Sequence, residues 1–183
     1  SQQMWINLDE IAENGIDDDN DGYVDNINGI DPYWGDGEPE DDIGHGTHVA
    51  GTIGAAANDG NPHVGVAWDV QLLACKVGSY FLSVDAIIDS IEFSVEEGAA
   101  VANCSFGGMY FSQAEFDAFA EGGNNGIMFA CAAGNYSMNN DVTPFYPCSF
   151  DLECIVSVAA RNNKDLLSSF THTGEESVDL GAP

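Results

Sequence analysis

The chain has 183 residues, of which 44% are hydrophobic, enough for one domain or part of a larger one and too apolar for a disordered acidic tail. Three Lys and Arg against 31 Asp and Glu leave a formal charge of −28. That charge excludes nucleic-acid phosphates and anionic lipid as the main partner, because both need positive charge. No apolar run approaches the roughly 18 residues of a membrane span, and the opening SQQMWINLDE lacks the basic start and apolar middle of a signal peptide.

Fourteen of the 31 acidic residues fall within positions 1–45, and no Lys or Arg precedes Lys76. Residues 1–44 therefore read as a loop-rich acidic lead-in rather than a separate core. Within it, Asp17, Asp19 and Asp21 alternate ahead of Gly22 in the order D-x-D-x-D-G that opens calcium loops. Alternate carboxylates face one shell, Gly22 permits a sharp turn, and Tyr23 can offer its carbonyl. The twelfth position is Asn28 instead of a bidentate Glu, so Asp25 or Asp31 would have to complete the shell. The pattern predicts a Ca²⁺ site; the alternative is a hydrated acidic turn.

From residue 46 onward, apolar runs alternate with helical patterns. GHGTHVAGTIGA, starting at Gly44, opens an Ala/Gly-rich helix whose small residues allow close packing under a sheet. Residues 70–77 (VQLLACKV) form a short apolar strand. Val84, Ile87, Ile88, Ile91 and Val95 share one face of a helix with Ser83 as N-cap and Gly98 as stop. Residues 99–106 (AAVANCSF) are the next strand. Ser112-Gln113-Ala114-Glu115 is a capping box that opens a helix burying Phe116 and Phe119 and ending at Gly122-Gly123. Residues 127–133 (IMFACAA) and 154–160 (CIVSVAA) are buried strands. This alternation predicts an α/β fold with a mostly parallel sheet covered by helices on both faces, three layers in all. Cys75, Cys104 and Cys131 lie in apolar runs and read as buried thiols. Cys148 and Cys154 flank a short loop, where a disulfide requires an oxidising compartment.

In such sheets function gathers at the carboxyl ends of the strands. His45, between two glycines at a helix start, can face a cleft and serve as a general base near neutral pH. His48 follows at a spacing of three, without the Glu of HExxH, so a zinc site is not expected.

Taken together, these segments resemble the subtilisin-like serine proteases. GHGTHVAGTIGA is similar to the family's active-site histidine motif. Val64-Gly65-Val66-Ala67 through Lys76-Val77 resembles its GVAP…KV segment, with Trp68 in place of Pro. Asn103-Cys104-Ser105-Phe106-Gly107-Gly108 resembles the N-x-S-x-G-G strand. Residues 129–135 resemble the strand that ends in the oxyanion asparagine, and residues 169–183 resemble FS…G…VDL-x-AP. The acidic stretch resembles the NGIDDDxNGYVDD segment that precedes the histidine motif in some members. The resemblance covers nearly the whole chain from residue 14.

It implies a fold of subtilisin type, with residues 45–183 as the central part of the catalytic domain. It also implies a serine endopeptidase that acts on protein or peptide substrates. His45 would be the triad base and His48 a structural residue. Asn135 would donate its amide to the tetrahedral oxyanion. Ser105, Phe106 and Gly107 would pair with substrate as a strand, and Ala132, Ala133 and Gly134 would wall the pocket beside the cleaved bond. The family's GTSMAxP-type nucleophile motif and its D-[ST]-G aspartate motif do not occur in the chain. A continuation is therefore expected, and the chain alone is expected to be inactive. Other segments of the same protein or a propeptide are expected partners, and a secreted location is expected. The alternative class is a calcium-binding scaffold or adhesion module that kept the fold without catalysis.

Overall fold

Helix ends determine where the strands of the second half begin. In the computed structural model, which describes residues 3–183, two helices end in the same motif. Helix α2 (Val84–Glu96) reaches Gly98 at φ 70°, where Gly98 N–H donates to Val95 O and Ala99 N–H to Ser94 O. Helix α3 (Gln113–Asn124) repeats this at Gly126, with φ 97° and bonds to Gly123 O and, from Ile127, to Gly122 O. The pairing of 5→2 and 6→1 bonds is the Schellman motif, and it needs a residue at home in the left-handed region. Each exit hands the chain directly to a strand, β3 (Val101–Cys104) and β4 (Met128–Ala132).

The chain forms two compact units, one up to Ser90 and one from Ile91 to Pro183. The first contains β1 (Gly29–Ile30) paired in parallel with β2 (Ala74–Cys75), and α1 (His45–Gly54). The acidic lead-in and the His45 helix thus belong to one unit. The apolar run at 70–77 pairs over only two residues, with a further bridge from Leu72 to Met4. Its partner β1 lies within the segment read as loop. α1 does pack closely: a Cβ on Gly54 would touch Val70 and Leu72 at 3.0–3.4 Å. The interior of this unit is partly polar, with Ile30 and Ile87 buried alongside Asn7, Glu10, Asn26 and Asp31.

The second unit holds a four-stranded parallel sheet in the order β3-β4-β5-β6, with β5 at Ile155–Ala160 and β6 at Leu180–Ala182. Neighbours in sequence are neighbours in space, as short un-knotted connections favour. Its core is aromatic. Phe119 on α3 and Phe129 on β4 are wholly buried with ring centroids 4.5 Å apart, and Phe150 packs on Phe119 at 5.6 Å.

Several sequence expectations shift in detail. Ser83 and Ser112 do act at helix starts, accepting from Ala86 N–H and Glu115 N–H at 3.3 Å. α3, however, does not stop at Gly122-Gly123. Those glycines are inside the helix, where a Cβ would press into the Phe129 ring at 2.7 Å and the Cys154 Sγ at 2.5 Å. The buried face of α2 carries Ala86, Ile87, Ser90 and Ile91, while Val84 is exposed. All five cysteines are free thiols: Cys148 donates to Phe145 O and Cys154 to Phe119 O, so no 148–154 disulfide forms. No helix among the described residues is long and apolar enough to cross a membrane.

Candidate active site and acidic loop

His45 is the first residue of α1, after Gly44 in the N-cap position. Gly44 has no side chain to cap the helix, and Asp41 takes over that task. Its Oδ1 accepts from the N–H groups of Ile43 and Gly44 at 2.9 and 2.8 Å, and its Oδ2 from Thr47 N–H at 2.7 Å and the Thr47 hydroxyl at 2.8 Å. Led by the bond from Thr47 N–H, these contacts hold the Asp41 carboxyl well below the usual carboxylate range. The anion also complements the positive end of the helix dipole. His45 is thus bracketed by residues tied to one carboxylate, and its ring is exposed. His48, read as structural, is exposed as well. Asp42 is tied down too: Lys76 bridges it at 3.0 Å to Asp31, at 3.1 Å, which is buried.

In the second unit, Asn135 follows β4 and is exposed. Of the expected pocket wall, Ala133 and Gly134 are buried and Ala132 is half-buried. Gly134 adopts φ 119°, and a Cβ there would collide with the His172 ring at 2.5 Å. His172 is wholly buried; burial pushes its pKa below the ordinary value, with the Ala133 carbonyl opposing. Ser105, Phe106 and Gly107 continue from β3, which lies at one end of the sheet. The Ser105 hydroxyl accepts from Asn103 Nδ2 at 2.9 Å. Behind them, Gly107 lies against the Phe145 ring, and Gly108 exchanges two backbone bonds with Tyr146 at 2.8 and 2.7 Å.

The acidic loop is organised around a residue the sequence pattern did not single out. Glu10 is buried and accepts from Asp18, Asp19 and Asp25 N–H groups. Carboxylate oxygens of Glu10, Asp17 and Asp19 converge within 4.8 Å of one another. Asp17 Oδ1 is buried without a hydrogen-bond partner among the described residues. An orphaned anionic oxygen beside two more carboxylates is costly unless a cation joins them. A hard all-oxygen donor set suits Ca²⁺. The residues therefore fit that ion, which would supply charge neutralisation.

Asp21 is near but engaged, accepting from Tyr23 N–H at 2.8 Å and Asn26 Nδ2 at 2.6 Å; burial raises its pKa, and Asp19 and Asp17 add to the rise. Tyr23 is half-buried next to it. Asp25 turns its oxygens to Asn14 and Gly15 N–H, both at 3.0 Å.

Sequence reasoning missed Glu10, Asp41 and His172. An Asp shortly before a helix start is a recognisable capping signal; Glu10 and His172 act on distant residues and carry no local signal.

Parallel strands with intervening helices give an α/β fold of the subtilisin-like class. A family model described as the subtilase family, peptidase S8, matches residues 7–183, and the chain belongs to that family. It is 34% identical over 180 residues to the thermophilic serine proteinase of Bacillus sp. (strain AK1), covering 94% of this chain and 42% of that protein. It is 35% identical over 146 residues to the minor extracellular protease Epr of Bacillus subtilis (strain 168), covering 79% and 22%. The crystal structure of the psychrophilic subtilisin-like protease Apa1 from Pseudoalteromonas sp. AS-11 superposes with a TM-score of 0.65 at 30% identity, covering 74% of this chain and 31% of that one. The chain spans 11% of subtilisin-like protease 2 of Plasmodium falciparum (isolate 3D7) and 52% of subtilisin DY of Bacillus licheniformis.

Proposed function

We propose that the chain is the central part of the catalytic domain of a calcium-binding, subtilisin-like serine endopeptidase. The observation that supports this best is the pairing of motif and position. An exposed His45 starts a firmly capped helix, and an exposed Asn135 follows a buried strand end. In this reading His45 takes the proton of a serine hydroxyl as it attacks the scissile carbonyl, then gives it to the leaving amine. Asn135 donates its amide to the oxyanion, a contribution of about 3–4 kcal/mol to transition-state stabilisation. Ser105, Phe106 and Gly107 take the substrate as an added strand, and Ala132, Ala133 and Gly134 wall a roomy apolar pocket.

The nucleophile and the triad aspartate lie outside the motifs of this chain, so hydrolysis belongs to the full-length protein, together with its other segments or a propeptide. Glu10, Asp17 and Asp19 hold Ca²⁺, with Asp21 and Tyr23 adjacent, and tie the lead-in in place. A secreted location is part of the reading, since extracellular calcium loads even weak sites.

The test is hydrolysis of a peptide substrate by the full-length protein and its His45→Ala variant. Loss of turnover in a variant with unchanged circular dichroism is expected; normal turnover overturns the assignment. Residues 1–183 alone should take no label from a fluorophosphonate probe, and labelling of Ser105 would mean the site has been misread.

A further inference from the structure

His172 has no part in the chemistry above, yet it is wholly buried directly beneath Gly134. Its surroundings fix its protonation. Asn140 Nδ2 donates to Ala133 O at 3.0 Å and faces Cys148 Sγ at 3.5 Å, which leaves Asn140 Oδ1 against His172 Nδ1 at 2.8 Å. An amide oxygen only accepts, so Nδ1 carries the proton. Nε2 is buried with no partner among the described residues, and the rings of Phe145 and Tyr136 lie 5.0 and 5.8 Å from the imidazole. Nδ1 is therefore the donor the ring presents to Asn140, with the Ala133 carbonyl also close to the ring.

That donor has consequences for the peptides around Gly134. The His172 backbone N–H donates to Gly134 O at 2.9 Å. Its ring orients Asn140, which holds Ala133 O. On the far side, Ser137 N–H donates to Phe170 O at 2.8 Å and its hydroxyl to Ser169 O at 2.6 Å. Asn135 and Tyr136 are thus a short span between two anchors on the 169–172 segment. We infer that His172 is a positioning residue for Asn135: through Asn140 and its own backbone it fixes both carbonyls that precede Asn135, and so aims the Asn135 amide. This rests on the reading of Asn135 as oxyanion donor.

The test compares two substitutions in the full-length protein. His172→Asn keeps a side-chain N–H where Nδ1 stood, whereas His172→Gln carries its amide to the Nε2 position. The Asn variant should keep kcat within about threefold, and the Gln variant should lose about 10–100-fold in kcat with KM within about twofold. In an Asn135→Ala background the Gln substitution should cost nothing further. Equal kcat for the two variants, or a full extra loss in that background, overturns the inference. If the Gln variant does not fold, Asn140→Ser breaks the same link and should show the same kcat-only loss; unchanged kcat there overturns it. If Asn135→Ala itself leaves kcat unchanged, the oxyanion reading fails. Amide hydrogen exchange at Ser137 and His172, whose N–H groups donate to Phe170 O and Gly134 O, then judges His172 by itself: at least about tenfold faster exchange in the Gln variant supports positioning, and unchanged exchange overturns it.

Discussion

Asp41 satisfies three backbone donors and a hydroxyl with one exposed carboxylate, at the start of the helix that His45 opens. Because its folded pKa lies below the unfolded value, its contribution is present above about pH 4 and fades as pH falls further. His172 has the same sign in another window. Its folded pKa is lowered, so folding releases its proton, and stability should decline as pH drops below about 6.5. Melting curves from pH 8 to pH 3 should show both limbs. Asp41→Asn should shrink the lower one, which Asp141 shares, and Asp41→Ala should cost about 0.5–2 kcal/mol at neutral pH, the range for loss of a helix cap. His172→Asn should flatten the upper one. An Asp41→Asn curve that parallels the parent at low pH would place the acid sensitivity elsewhere.

At the scale of elements, glycine has two opposite roles in α3. Gly126 ends the helix, while Gly122 and Gly123 let it approach β4 and Cys154. An alanine in a helix interior ordinarily gains about 1 kcal/mol over glycine. Gly122→Ala should instead destabilise by about 1–3 kcal/mol, because its Cβ meets the Phe129 ring and Ile91. The urea midpoint measures this, and a rise would mean that the aromatic core gives way easily.

The same helix shows what was legible beforehand. Ser112 and the apolar spacing of α3 are local signals, so its start and buried face could be read. Its end was placed too early, because Gly122 and Gly123 look like a stop, and their packing role against Phe129 and Cys154 in other elements leaves no local mark. Likewise His45 and Asn135 stand in long family motifs, whereas Glu10 and His172 work on residues brought near only by folding. β1 was hidden inside an acidic stretch because a two-residue parallel strand has no periodicity to reveal it.

For the whole molecule, the −28 charge makes cations part of the stability. Calcium at about 100 times its Kd should add roughly 2.7 kcal/mol if it binds only the folded form. Melting temperature with calcium and with chelator reads this gain, and Asp17→Asn combined with Asp19→Asn should abolish most of it. A parent protein indifferent to chelator would make the loop an acidic turn. The scarcity of basic residues has one more consequence. A trypsin-like enzyme can cut this chain only after Lys76, Arg161 and Lys164. Lys76 is withdrawn between two aspartates with a tenth of its side chain exposed, and Arg161 is bonded to Asp165. Among the described residues, Lys164 alone of the three stands without an ion pair, in an exposed turn. Within these residues, folded, a single nick near residue 164 is therefore the cleavage to look for.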